Sequence, residues 1–106
     1  MARQKKKSEE SPAITSVQII RLTPVFTTKF KEDLGWWYKN DPKKATKILD
    51  MVTAIMSDPF TGTGKPEPLK YMDSDYWSRR IDIEHRLIYI VNNEQIVFFT
   101  CRYHYE

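Results

Sequence analysis

At 106 residues, with 41% hydrophobic and 13% aromatic content, the chain has the material for one folded domain with one small core. Its single cysteine, Cys101, excludes an intramolecular disulfide and suits a reducing, cytoplasmic setting, and no apolar run is long enough for a membrane-spanning helix or a signal peptide. Of the net charge of +3, residues 1–16 hold +2 (Arg3, Lys5, Lys6 and Lys7 against Glu9 and Glu10), so the remaining ninety are nearly neutral, which excludes broad electrostatic coating by nucleic acid and leaves a compact contact or charges sorted onto one face.

In chain order, residues 1–15 are polar, interrupted by Pro12 and without periodicity, which predicts a disordered tail; its RQKKK run is either an arm toward RNA or a solvated extension. The folded domain is expected over residues 16–106. SVQIIRL, at 16–22, predicts a strand. Thr23 and Pro24 then read as a helix N-cap and first helical position. Val25, Phe26, Phe30, Leu34, Trp37 and Tyr38 recur at helical spacing, giving a helix over 24–39. Gly35 inside it costs about 1 kcal/mol against alanine and is expected to permit close packing. Asp41-Pro42 starts a second helix over 42–57, striped by Ala45, Ile48, Leu49, Val52, Ile55 and Met56. The pair forms a helical hairpin whose apolar stripe, with Phe30, Trp37, Leu49 and Val52 as core, needs a sheet to cover it.

Residues 59–71, PFTGTGKPEPLKY, hold three prolines and two glycines and predict a long ordered loop with no regular element, a common site of function. Strands follow over 76–81, 86–91 and 95–103, the last two joined by a turn at 92–94. A three-residue turn that sets Val91 opposite Gln95 sorts polar from apolar best. It puts Arg86, Arg102 and His104 on one face and Leu87, Tyr89, Val91, Val97, Phe99 and Cys101 on the helix side. The expected fold is α+β, in the order β-α-α-β-β-β, with an antiparallel sheet packed on an α-hairpin.

The polar residues of this second half suit RNA cleavage. RNA carries its own nucleophile, the 2′-hydroxyl; cutting it needs a base, an acid, and positive charge on the reacting phosphate. A carboxylate such as Glu67 can accept a proton, His104 can hold one near neutral pH, and Arg86 offers a fixed fork to phosphate. By residue type alone, Glu67 between two prolines is ordinarily a solvated loop residue, His104 an exposed one, and Arg86 as readily an ion-pair partner of Asp82 or Glu84. Trp77, with Tyr76, Arg79 and Arg80, makes a basic-aromatic strand that can stack bases and hold phosphates, although Trp77 is equally suited to the core. Lys65, Lys70 and Arg102 complete the candidate RNA contacts. The sequence offers no carboxylate cluster or histidine pair suited to a divalent ion, so no metal or other cofactor is expected.

GKPEPLK, YWSRRI, EHRLIYIV and CRYHY, in this order between residues 64 and 105, resemble the YoeB-type toxins of the RelE superfamily. The resemblance implies a microbial-RNase-like fold and a ribosome-dependent mRNA endoribonuclease of the bacterial cytoplasm, working at the ribosome's A site on the small subunit. It implies inhibition by a YefM-type antitoxin, with a homodimer as a further assembly. Residue by residue it implies Glu67 (of GKPEP) as general base, Arg86 (of EHRL) as phosphate stabiliser, His104 (of RYHY) as general acid, and Tyr105 as the group orienting or stabilising the reacting phosphate. Where the family pattern ends on that tyrosine, Glu106 follows here; its carboxylate favours protonated His104 and repels RNA phosphate. The alternative is a non-catalytic RNA- or antitoxin-binding module with the same fold.

Overall fold

A computed structural model describes residues 22–70 and 75–103. The expected tail, the strand at 16–22 apart from Leu22, and His104, Tyr105 and Glu106 lie outside the described residues.

The first described strand, β1, is Thr23–Phe26, where the sequence predicted the start of a helix. Pro24 suits this position because β1 is the outermost of the described strands, where a missing amide proton interrupts no inner ladder of the described sheet. The helix cap is Thr27. Its Oγ1 accepts the Phe30 N–H at 3.0 Å, and its hydroxyl donates to the Phe99 carbonyl at 2.7 Å, tying helix and sheet at one residue. Helix α1 then runs Thr28–Asn40 and α2 runs Pro42–Ser57. Asp41 precedes Pro42 as expected, but its side chain makes no capping bond.

Strands β2 (Glu67–Pro68), β3 (Tyr76–Arg80), β4 (Arg86–Val91) and β5 (Gln95–Thr100) complete a five-stranded sheet ordered β1-β5-β4-β3-β2. The fold is α+β as expected, with two refinements. The β1–β5 pair is parallel, so the sheet is mixed, and the Pro-rich loop contains the short edge strand β2.

The β4–β5 register differs from the expected one. Asn92 Oδ1 accepts the N–H groups of Glu94 and Gln95, and Asn92 N–H bonds the Gln95 carbonyl, closing a tighter turn that sets Val91 opposite Ile96. Ile96 and Phe98, not Val97 and Phe99, therefore join Leu87 and Tyr89 in the core. A bulge then shifts the pairing from Tyr89–Phe98 to Ile88–Thr100, and this extra residue returns Cys101 to the core side.

Phe30, Trp37, Ala45, Ile48, Met51 and Ile55 of the helices meet Leu87, Tyr89, Ile96 and Phe98 of the sheet. Leu49, expected in the core, is 39% exposed, because Met51 occupies the inward position beside Ile48. Gly35 packs against nothing: a β-carbon there meets no atom within 4 Å. Gly35→Ala should therefore raise stability by about 0.5–1 kcal/mol, since alanine gives up less backbone freedom on folding. A urea melt that leaves the midpoint unchanged or lowers it would contradict this.

Candidate active site

Two cross-strand rows build the site. Glu67 pairs with Ser78, Ser78 with Ile88, and Ile88 with Thr100, so these four side chains share one face of the sheet. The next row pairs Arg80 with Arg86. Arg79 and Leu87, and Trp77 and Tyr89, lie between these positions and point the other way, toward the helices. Glu67 and Arg86 are thus brought to the same face, away from the helical layer. Glu67 is exposed on the rim strand, and Arg80 is exposed beside the half-buried Arg86.

The loop that delivers Glu67 is organised by Arg79. This side chain is 0% exposed, which corrects its assignment as an RNA contact. Its Nη2 donates to the carbonyls of Asp58 (2.6 Å) and Thr61 (2.9 Å), Nη1 to that of Thr63 (3.2 Å), and Nε to Tyr89 Oη (3.1 Å). Tyr89 in turn donates to the Pro59 carbonyl at 2.6 Å. Burial, opposed by the Arg79 hydrogen bond, pushes the Tyr89 hydroxyl pKa up, which keeps the proton this bond requires. The loop curls closely enough that a β-carbon on Gly62 would lie 3.1 Å from Arg79 Nη1, and one on Gly64 would lie 3.2 Å from the Arg80 carbonyl, both at positive φ. The Arg80 N–H donates to the Gly64 carbonyl at 2.7 Å and joins the loop to β3 just before Glu67. Trp77 also leaves the RNA-facing set, because it packs on the core and on the Phe60 ring, 5.0 Å away, on the opposite face from Glu67. The signal for both was parity: Trp77, Arg79 and Ile81 alternate together, and two of the three are apolar.

Arg86 follows a tight turn. Asp82 Oδ1 accepts the N–H groups of Glu84 (2.9 Å) and His85 (2.8 Å), Asp82 Oδ2 accepts Lys44 Nζ (3.2 Å), and Lys47 Nζ donates to the Ile81 carbonyl (2.6 Å). Arg86 Nη1 meets the carbonyl of Asp82 at 3.1 Å, not its carboxylate, which Lys44 and the turn amides occupy. Burial disfavours the Asp82 carboxylate, but the bonds from Lys44, His85 and Glu84 outweigh it and hold the carboxyl below its ordinary range. Its stabilising contribution is therefore complete above the ordinary carboxylate range and lost as pH falls through the lowered value. Urea melts from pH 7 to pH 3 should show wild type more stable than Asp82→Asn at neutral pH, with the difference closing in acid; a constant difference would disprove this.

Lys65 and Lys70 are exposed on either side of Glu67, Lys65 at a positive φ of 51°. Arg102 does not continue the strand's alternation. β5 ends at Thr100, and the Arg102 guanidinium stacks 3.9 Å from the Trp36 ring of α1, with Nη2 donating to Tyr103 Oη. Cys101 is anchored from α1: buried Asp33 accepts its N–H at 3.0 Å and Trp37 Nε1 donates to its carbonyl at 2.7 Å. Burial and the nearby Asp33 push its thiol up to about 12, so it is no nucleophile. Among the described residues, no helix is long and apolar enough to cross a membrane.

Comparison with known proteins agrees with this architecture. Residues 26–105 match the family model of YoeB-like toxins of bacterial type II toxin-antitoxin systems. A toxin YoeB from Synechocystis sp. is 46% identical over 81 residues, which cover 76% of this chain and 94% of that protein. The YoeB dimer structure from Staphylococcus aureus superposes with a TM-score of 0.73 at 40% identity, covering 80% of this chain and 99% of that one. A heterotetrameric YoeB-YefM toxin-antitoxin complex from the same organism gives a TM-score of 0.69, also at 40% identity, over 80% of this chain and 99% of that chain. The chain belongs to the YoeB family of toxins of bacterial type II toxin-antitoxin systems.

Proposed function

We propose that this toxin is an endoribonuclease that cuts mRNA in the ribosomal A site through attack by the RNA 2′-hydroxyl. The observation that carries the reading is the placement of Glu67 and Arg86 on one face of the sheet, in adjacent cross-strand rows, with exposed Arg80 beside them. Glu67 takes the 2′-hydroxyl proton. Arg86 stabilises the extra negative charge on the phosphate's non-bridging oxygens as phosphorus takes its fifth oxygen bond. His104 protonates the departing 5′-oxygen, and Tyr105 orients the phosphate. Lys65, Lys70, Arg80 and Arg102 hold the flanking backbone. The partner is a YefM-type antitoxin that silences the toxin by covering this face, and a homodimer is the further assembly; the Staphylococcus aureus dimer and complex support both by analogy.

The chemistry fixes the products. Cleavage should leave a 2′,3′-cyclic phosphate, or the 3′-phosphate it hydrolyses to, and a 5′-hydroxyl. A ribosome-independent assay should proceed in EDTA, and a 2′-deoxy residue at the cut site should abolish cutting while binding persists. Mapping the ends of RNA from induced cells and from purified reactions tests this, and a 5′-phosphate product would overturn it.

A further inference from the structure

We infer that His85 is a positioning residue, whose ring Nδ1 accepts the Tyr103 backbone N–H and so fixes the chain at the residue immediately before His104. The bond is 2.7 Å long, and His85 is 7% exposed. The Tyr103 carbonyl is held as well, by the Arg86 N–H at 2.8 Å. One peptide segment is thereby gripped at both polar groups by two consecutive residues, His85 and Arg86. The grip matters because Tyr103 sits at a φ of 60°, left-handed backbone that a tyrosine does not adopt without outside support.

The ring is itself held for this purpose. Its backbone N–H is tied to Asp82 Oδ1 at 2.8 Å. Trp37 meets it edge-on at 4.8 Å between centroids, and the Tyr103 ring lies 5.3 Å away on another side. Because Nδ1 accepts from Tyr103, the ring carries its proton on Nε2, which lies 3.9 Å from Glu84 Oε1. Helix α1, the 82–85 turn and the segment leaving β5 therefore converge on one imidazole. The link to catalysis rests on the reading of His104 and Tyr105 as reacting groups; the clamp on Tyr103 does not.

Three full-length proteins test the idea. His85→Phe keeps an aromatic ring against Trp37 but removes the acceptor. His85→Asn restores an acceptor near the Nδ1 position. In the third, a synthetic segment from Cys101 onward is ligated to the rest of the chain with an ester oxygen in place of the Tyr103 N–H, which deletes the donor and leaves every side chain intact. Hydrogen exchange at the Tyr103 amide should quicken at least tenfold in His85→Phe and recover in His85→Asn. On RNA, kcat should fall on the order of 10–100-fold in His85→Phe and in the ester protein with KM within about threefold, as expected when a reacting group is misplaced by about an ångström. His85→Asn should recover most of this loss. Unchanged Tyr103 exchange in His85→Phe overturns the clamp. Normal kcat in the ester protein, with Arg86→Ala and His104→Ala inactive, overturns the positioning role and leaves the proposed function standing. If wild type itself cuts no RNA, the proposed function fails and the positioning role with it, while amide exchange still decides the clamp. Should His85→Phe not fold, the ester protein decides the positioning role, and the Tyr103 amide of wild type decides the clamp: exchange at the rate of a free peptide overturns it.

Discussion

Glu67→Ala, Arg86→Ala and His104→Ala should each slow RNA cleavage by on the order of 10²–10⁴-fold, the range for losing an acid, a base or a charge-stabilising group. Glu67→Gln is the sharpest of these changes. Glu67 is exposed on an edge strand with its side chain away from the core, so the amide should leave stability within about 0.5 kcal/mol of wild type. Any loss of rate is then a loss of chemistry. Arg86→Lys separates charge from geometry: lysine keeps the charge but gives up the planar fork and the contact with the Asp82 carbonyl, so it should recover little of the rate. The decisive measurement is single-turnover cleavage of a defined RNA, with circular-dichroism melts alongside. Full activity in folded Glu67→Gln or Arg86→Ala protein would remove those residues from the mechanism.

Arg79→Ala should destabilise the domain by about 3–5 kcal/mol, as expected when a buried charge and its hydrogen-bonded partners are separated. The guanidinium is the centre of the 58–63 loop, whose carbonyls at Asp58, Thr61 and Thr63 point inward to reach it. Without it the loop must unfurl to find water, and the start of β2 goes with it. Arg79→Lys should recover only a fraction, because one ammonium cannot reach four acceptors spread around a plane. Arg80→Ala, one residue away but exposed, should cost less than about 0.5 kcal/mol in the same urea melts. Equal costs for the two arginines would refute the distinction.

That contrast shows where the sequence was legible. Asp41-Pro42 and the stripe from Ala45 to Ile55 carried the start and length of α2 and the inward positions Ala45, Ile48 and Ile55, though not Met51, because helix starts and helical period are local. β4 was equally plain, as an unbroken run of strand formers. β1 was hidden because what makes Thr23–Phe26 a strand is a partner far along the chain, while Thr23-Pro24 imitates a helix start. The bulge after Phe98 was hidden because it is an event of the backbone, and alternation counted across it fails by one residue. Arg79 and Arg80 are identical letters on opposite faces, separable only by weighing Trp77 and Ile81 beside them. Glu67 and Arg86 were legible as candidates, but the loop-to-strand transition that sets them on one face was not. His85 carried no signal beyond its place in EHRL, since nothing local says that its ring faces Tyr103.

The sheet order β1-β5-β4-β3-β2 bears on when the protein becomes dangerous. β5 is the last of the described strands along the chain and yet lies inside the sheet, and Thr27 bonds Phe99, 72 positions further on. During synthesis β1 and α1 emerge first and wait, with Phe30 and Trp37 lacking the surface that Ile96, Phe98 and Cys101 will supply. Contacts so distant in sequence form late and slowly. A chain halted before Gln95 has neither the inner strand nor the anchor for residues 101–103, so a prematurely ended translation product cannot assemble the site. The topology thus makes closure of the sheet that carries the candidate site wait for the end of the chain.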